Sequence, residues 1–173
     1  MAAPTRTPVV VRSATADDLP FVADIYRHYV DNTVATFDFD APTVADWSAK
    51  LTTIAAAGRP FLVAETVDDG VIGFAYLGEF RSKSAYAQTT EDTIYVRHGL
   101  SARGVGSALL SAVIAATDPA NVRQIIAVIA AESGDASVAL HRRHGFDEVG
   151  RLAGVGRKFD RWVDVVYMQL EIS

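Results

Sequence analysis

The sequence predicts an α/β fold, with a mixed and mostly antiparallel central sheet and helices on both faces. Three observations predict it. Short β-branched and apolar runs alternate with segments whose apolar residues recur every three or four positions. Asp69-Gly70 separates two such runs, a signal for an antiparallel hairpin. A third run, ending at Tyr95-Val96, is followed by a Gly104-Val105-Gly106 turn that opens a helix.

In order, Val9 to Arg12 reads as a strand, and Thr15 can cap a helix whose first turn carries Asp17 and Asp18 at the favourable dipole end. Leu19, Val22, Ile25, Tyr26 and Tyr29 form one apolar stripe along that helix. Thr43 with Asp46 opens a second helix, which Gly58 and Pro60 close. Phe61 to Thr66 and Val71 to Phe80 read as antiparallel strands. Arg81 to Thr90 is a polar link, and Thr93 to Val96 a central strand. Gly104 to Thr117 is an amphipathic helix ended by Pro119 and Asn121. Gln124 to Ala130 is a buried strand, Ala136 to Arg143 a short helix stopped by Gly145, and Glu148 to Leu152 with Asp164 to Glu171 close the sheet. At 173 residues the whole chain, 1–173, is expected to form a single domain.

Composition narrows the chemistry. The 16 basic and 21 acidic residues give a net charge of -5, the wrong sign for nonspecific binding to nucleic acid. No cysteine is present, which removes disulfides, thiolate zinc sites and a cysteine nucleophile, and four histidines without HExxH-type spacing predict no metal. No run approaches the roughly 18 apolar residues of a membrane span, and the N-terminus has no secretory pattern, so a cytosolic location without a membrane partner is expected. Charge is uneven. Ala16 to Trp47 holds seven aspartates and one arginine, whereas 11 of the 16 basic residues lie from Arg81 onward, which suggests an anionic ligand there.

Arg103-Gly104-Val105-Gly106-Ser107-Ala108 is the most informative segment. Glycines at a helix N-terminus let backbone N–H groups approach an anion, the dipole favours negative charge there, and Arg103 would add a charge-assisted contact. A Rossmann fingerprint needs glycine where Leu109 stands, and no Walker Gly-Lys-Ser/Thr is present. Phosphate binding and simple close helix packing both remain open readings of this turn.

Ile94-Tyr95-Val96, the Gly-Val-Gly turn and Ser137-Val138-Ala139-Leu140-His141-Arg142-Arg143-His144-Gly145-Phe146 together resemble the GNAT superfamily of acyl-CoA-dependent N-acetyltransferases. Within it the chain is most similar to the phosphinothricin and methionine sulfoximine acetyltransferase family. His28 to Phe37, Ala85-Tyr86 with Glu91 to Val96, and Gly156-Arg157-Lys158 with Trp162 and Asp164 carry that likeness over nearly the whole chain. The sequence departs from the superfamily at Ser101, where Gln or Arg is usual, and at Gly134, where Asn is common.

The resemblance implies a GNAT fold and acetyl-CoA as co-substrate. It implies Glu91 and His141 as the catalytic pair, Glu91 taking the amine proton directly or through water, and His141 relaying it or holding the reacting groups. It assigns Phe37, Arg81, Lys83, Tyr86 and Thr93 to the amine pocket, with Arg81 or Lys83 pairing with an acidic group and Tyr86 closing over it. Cofactor contacts fall on Val96, Arg97, His98, Arg103 to Ala108 and Ser137, with a backbone N–H near Val96 as oxyanion donor. A small-molecule amine partner and a homodimer follow from the same likeness. A peptide or protein amine substrate, a non-catalytic acyl-CoA sensor and a nucleotide-binding module are the rival readings.

Overall fold

The computed structural model describes residues 7–100 and 104–173, so Ser101 and Arg103 lie outside the described residues. The elements run β1 (Val10–Ser13), α1 (Leu19–Asn32), α2 (Val44–Ala56), β2 (Phe61–Thr66), β3 (Gly70–Glu79), β4 (Thr89–Val96), α3 (Val105–Ala115), β5 (Gln124–Ala130), α4 (Asp135–Arg143), β6 (Asp147–Lys158) and β7 (Arg161–Glu171). They build one seven-stranded sheet in the order β1-β2-β3-β4-β5-β7-β6. Every neighbouring pair is antiparallel except β4 and β5, so the expected mixed and mostly antiparallel sheet is present.

Local chemistry sets the helix starts. Thr15 caps a 3-10 turn, Ala16–Asp18, rather than α1 itself. The Asp18 carboxylate accepts from the Thr15 backbone N–H at 2.8 Å and from both Arg12 terminal nitrogens at 2.8 Å, which joins β1 to the start of α1. The Arg12 guanidinium holds the Asp18 carboxyl below its ordinary range, against the opposing effect of burial. At α2, Thr43 Oγ1 accepts from the Asp46 N–H at 3.2 Å while Asp46 accepts from the Thr43 N–H at 2.8 Å, a reciprocal capping box.

Two cores sandwich the sheet. On one face α1 and α2 bury Leu19, Val22, Ile25 and Trp47 against Phe61, Val63, Phe74 and Tyr76. On the other, Val105, Leu109, Leu110 and Val113 of α3 pack on Leu62, Ala64, Ile72 and Leu77. Alternation along β2 assigns Phe61 and Val63 to one core and Leu62 and Ala64 to the other, as the two-residue period of a strand requires. The register between β2 and β3 shifts between Ala64 and Glu65. The extra residue that this bulge gives β3 breaks its alternation.

Two boundaries differ from the sequence expectation. β4 begins at Thr89, four residues before the apolar run, because Thr89 to Asp92 are held by pairing, with β5 as far as Glu91 and with β3 from Thr90 onward, rather than by their own apolar character. β6 and β7 form a much longer hairpin than Glu148 to Leu152 suggests, and nearly all of β6 is exposed as the sheet edge. An edge strand buries too few side chains to show a strand pattern. No helix among the described residues is long and apolar enough to cross a membrane.

Candidate active site

The site originates in the only parallel strand pair among the described residues. β4 and β5 pair at Thr89 with Gln124, Thr90 with Ile125 and Glu91 with Ile126, and beyond Glu91 they diverge. Each strand keeps its outer partner, β4 through β3 and β5 through β7, so the divergence opens a cleft instead of unravelling the sheet. A cavity of about 950 Å³ fills it. Its walls include Glu91 to Val96, Ala127 to Ala130, Gly104, Gly106 and Ser107 at the start of α3, and Ser137 and His141 of α4.

Backbone direction along β4 follows from two bonds. Gln124 N–H donates to the Gln88 carbonyl across the β5 side at 3.2 Å, and Arg97 N–H donates to the Ile72 carbonyl on the β3 side at 2.7 Å. Strand residues alternate sides. Ile94 and Val96, beyond the last β5 rung, therefore aim their backbone N–H and C=O groups into the cleft. The Val96 carbonyl accepts there from the Tyr29 hydroxyl, which leaves the Ile94 and Val96 amides directed at whatever occupies the gap.

Side chains alternate between faces. Tyr95 packs with the α1/α2 core and Ile94 with the α3 core, so Glu91 shares the first face and Asp92 the second. Burial pushes the Glu91 carboxyl up to about 7, and the neighbouring Asp92 charge adds to this, while Lys50 and Arg81 oppose it. On the second face His141, 2% exposed, places Nε2 2.8 Å from Asp92 Oδ2 and Nδ1 2.7 Å from the Ser137 carbonyl. Glu91 and His141 thus border one cavity from opposite faces of the sheet, and His141 pairs with Asp92 rather than with Glu91.

At the far end of the cleft, Gly104 caps α3 with φ 80°, a left-handed conformation that disfavours any side chain. A Cβ on Gly106 would lie 3.3 Å from Leu140 Cδ2, so that glycine also serves close packing of α3 on α4. The two open readings of this turn are thus compatible. Ser107 Oγ lies 2.9 Å from His144 Nε2 and ties the same two helices together. At Gly134 a Cβ would fall 2.4 Å from Ile129 Cγ2 and 2.5 Å from the Ala130 carbonyl oxygen. Gly134→Ala is expected to destabilise the protein by about 1 to 3 kcal/mol through overpacking, read as a lowered midpoint in thermal unfolding with the denaturant m-value unchanged.

The remaining sequence candidates scatter around this frame. Thr93, Val96, Gly104, Gly106, Ser107, Glu91, Ser137 and His141 meet at the cavity. Val105 is buried in the α3 core instead, and Ala108 lies on the next turn of that helix. The Arg97 guanidinium donates to the Asp69 and Val71 carbonyls, where it braces the β2–β3 hairpin. His98 stacks on His28 with ring centroids 4.3 Å apart. Arg81 lies over the Phe80 ring and Tyr86 meets that ring edge-on, on the link that precedes β4. Lys83 immediately precedes the 3-10 turn Ser84–Tyr86 of that link. The Phe37 ring lies against the backbone at Gly156, and the loop that carries it is pinned by buried Lys158, whose Nζ donates to the Thr36 carbonyl at 2.9 Å. Arg103 lies outside the described residues.

Asp92 and Tyr29, which line the cavity, and Lys50, which acts on Glu91 from outside it, are residues that the sequence reading missed. The alternation of β4 was the available signal for Asp92, since a carboxylate buried on the face of a central strand needs a buried partner. Tyr29 and Lys50 come from helices distant in sequence, and nothing local marks them. Among the described residues no group of three His, Asp or Glu side chains could hold a metal ion.

Comparison with known proteins bears on this cleft. Residues 11–167 match the Acetyltransferase (GNAT) domain family. The chain is 38% identical over 168 residues to the phosphinothricin N-acetyltransferase of Alcaligenes faecalis, covering 97% of this chain and 85% of that protein. It is 37% identical over 164 residues to the L-methionine sulfoximine/L-methionine sulfone acetyltransferase of Pseudomonas aeruginosa, covering 94% of each. The crystal structure of a GNAT superfamily phosphinothricin acetyltransferase from Sinorhizobium meliloti in complex with AcCoA superposes with a TM-score of 0.90 at 37% identity, over 95% of this chain and 89% of that one.

Proposed function

Because the chain belongs to the GNAT acetyltransferase family, we propose that it acetylates the α-amine of a small amino-acid-like molecule of the phosphinothricin, methionine sulfoximine or methionine sulfone type by direct attack on acetyl-CoA. The observation that carries this reading is the parted β4–β5 pair. It exposes strand amides and a helix N-terminus on one continuous cavity with a carboxyl raised to about 7 at its last paired rung.

Acetyl-CoA supplies an activated thioester. Its anionic diphosphate suits the start of α3, where unpaired N–H groups and the helix dipole meet. The Ile94 and Val96 amides, aimed into the cleft, are placed to stabilise negative charge developing on the carbonyl oxygen. Glu91 takes the proton that the substrate ammonium must lose, directly or through one water, and so exposes the lone pair that attacks. No acyl-enzyme intermediate is needed. Holding both reactants in one cleft contributes up to about 7 to 11 kcal/mol of the barrier.

Specificity for an acidic amino acid is supported by Lys50 and Arg81. Both are cationic groups that act on Glu91, and either can pair with a substrate carboxylate or phosphinate while the amine faces Glu91. The same charges disfavour polyamines. A homodimer through the β6 edge is supported by its length and by exposed Val149, Leu152 and Val155. In a cytosolic setting this activity would confer resistance to such inhibitory amino acids.

An amine panel scored by kcat/KM with CoA thiol release as the readout tests the reading. The expected result is highest kcat/KM for amino acids that bear an acidic or sulfoximine-type side chain. Acetyl-CoA binding without turnover on any amine would favour the sensor instead, and a clear preference for a peptide amine would favour the protein-directed reading.

A further inference from the structure

Glu91 serves from one face of β4, and the buried pair on the opposite face has no part in the chemistry above. His141 Nδ1 sits 2.7 Å from the Ser137 carbonyl oxygen, which can only accept, so Nδ1 carries a hydrogen. Nε2 sits 2.8 Å from Asp92 Oδ2. Imidazole is the more basic partner of the two, so the carboxylate accepts and the shared hydrogen stays on the ring. Nε2 therefore donates too, and both ring nitrogens are spent.

We propose that Asp92 is a positioning residue that fixes His141 as an imidazolium strut between β4 and α4, a ring that holds the cleft in shape and does not exchange the substrate's proton. The strut stands one residue past Glu91, the last rung at which β4 and β5 are bonded. Backbone pairing no longer sets the strand spacing there. Through Ser137 the ring also fixes the first turns of α4, and through β4 it fixes the strand whose amides face the gap.

The groups facing the ring are few. Asp92 approaches from β4, the Ser137 carbonyl and, at 3.3 Å from Nδ1, the Ser137 hydroxyl from the preceding turn of α4, and His144 from the end of that helix. Phe146 meets the ring edge-on, with centroids 4.9 Å apart. Burial by itself would drive the imidazole neutral, but the Asp92 hydrogen bond and charge, with the Ser137 carbonyl, outweigh it and raise its pKa. The inference deepens the acetyl-transfer reading and rests on it only in assigning the substrate's proton to Glu91.

The test is ¹⁵N NMR of histidine-labelled full-length protein, with the His141 signals assigned by their loss in His141→Asn. In the wild type both His141 nitrogens should be protonated at neutral pH. In Asp92→Asn the midpoint should fall by about one to three pH units, the loss of one close opposite charge, with the Nδ1 hydrogen kept. The acid limb of kcat against pH should persist in Asp92→Asn, because Glu91 is retained. A neutral His141 in the wild type at neutral pH, or a midpoint indifferent to Asp92→Asn, would overturn the proposal. If Asp92→Asn does not fold, the wild-type titration decides alone. Failure of the Glu91 assignment would show separately, as a wild-type rate without an acid limb and an unchanged His141 spectrum.

Discussion

Glu91→Gln is expected to lower kcat by about 10² to 10⁴, the usual contribution of a positioned base, with little change in acetyl-CoA affinity. The carboxamide keeps the shape of the side chain and removes its basicity. In the wild type kcat should rise with pH through about 7 as Glu91 ionises, and this limb should vanish in the variant. Stability should move the other way. A carboxyl whose folded pKa stands above its ordinary 4.5 stabilises the fold below that value, and the contribution is lost as pH rises through about 7. Glu91→Gln should therefore unfold at a higher temperature than the wild type under alkaline conditions. A variant that retains full kcat across pH would remove Glu91 from the base role.

Trp47→Ala is expected to cost about 3 to 5 kcal/mol, a large fraction of the roughly 5 to 15 kcal/mol that holds a domain folded. Trp47 is 1% exposed and meets Tyr26, Phe61, Phe74 and Tyr76 edge-on, with centroids 5.4 to 6.3 Å away. It therefore bonds α1, α2, β2 and β3 into one aromatic cluster. It also underlies Lys50, whose Nζ lies 5.0 Å from its ring and 3.2 Å from the Tyr76 hydroxyl. Among the described residues the indole N–H has no hydrogen-bond partner, so Trp47→Phe loses area without orphaning a polar atom and should cost distinctly less. Urea unfolding of the two variants checks the order, and equal losses would show that the cluster does not depend on the ring's size.

Much of the fold was legible in the chain. The stripe from Leu19 to Tyr29, the Thr43–Asp46 box and the Asp69-Gly70 turn are local features whose physics acts within a few residues. Thr89 to Asp92 and most of β6 were not legible. The first is polar and held by neighbours on both sides, and the second is an exposed edge. For the site, Gly104 announced itself through helix-start chemistry, and its φ of 80° agrees. Arg97 carried the right charge but spends it on the β2–β3 hairpin, a choice set by a strand twenty-odd residues away.

By itself the sequence determined the order of strands and helices, the glycine start of α3 and the residue types available for acid–base work, because periodicity, capping and turn preferences act at short range. Only the tertiary structure decided that β4 and β5 part after Glu91, that Glu91 and His141 lie on opposite faces, and that Asp92 is the partner of His141. Those outcomes depend on which strands pair and where the pairing stops, and on the burial that follows, which raises one carboxyl and leaves its neighbour bonded to an imidazole.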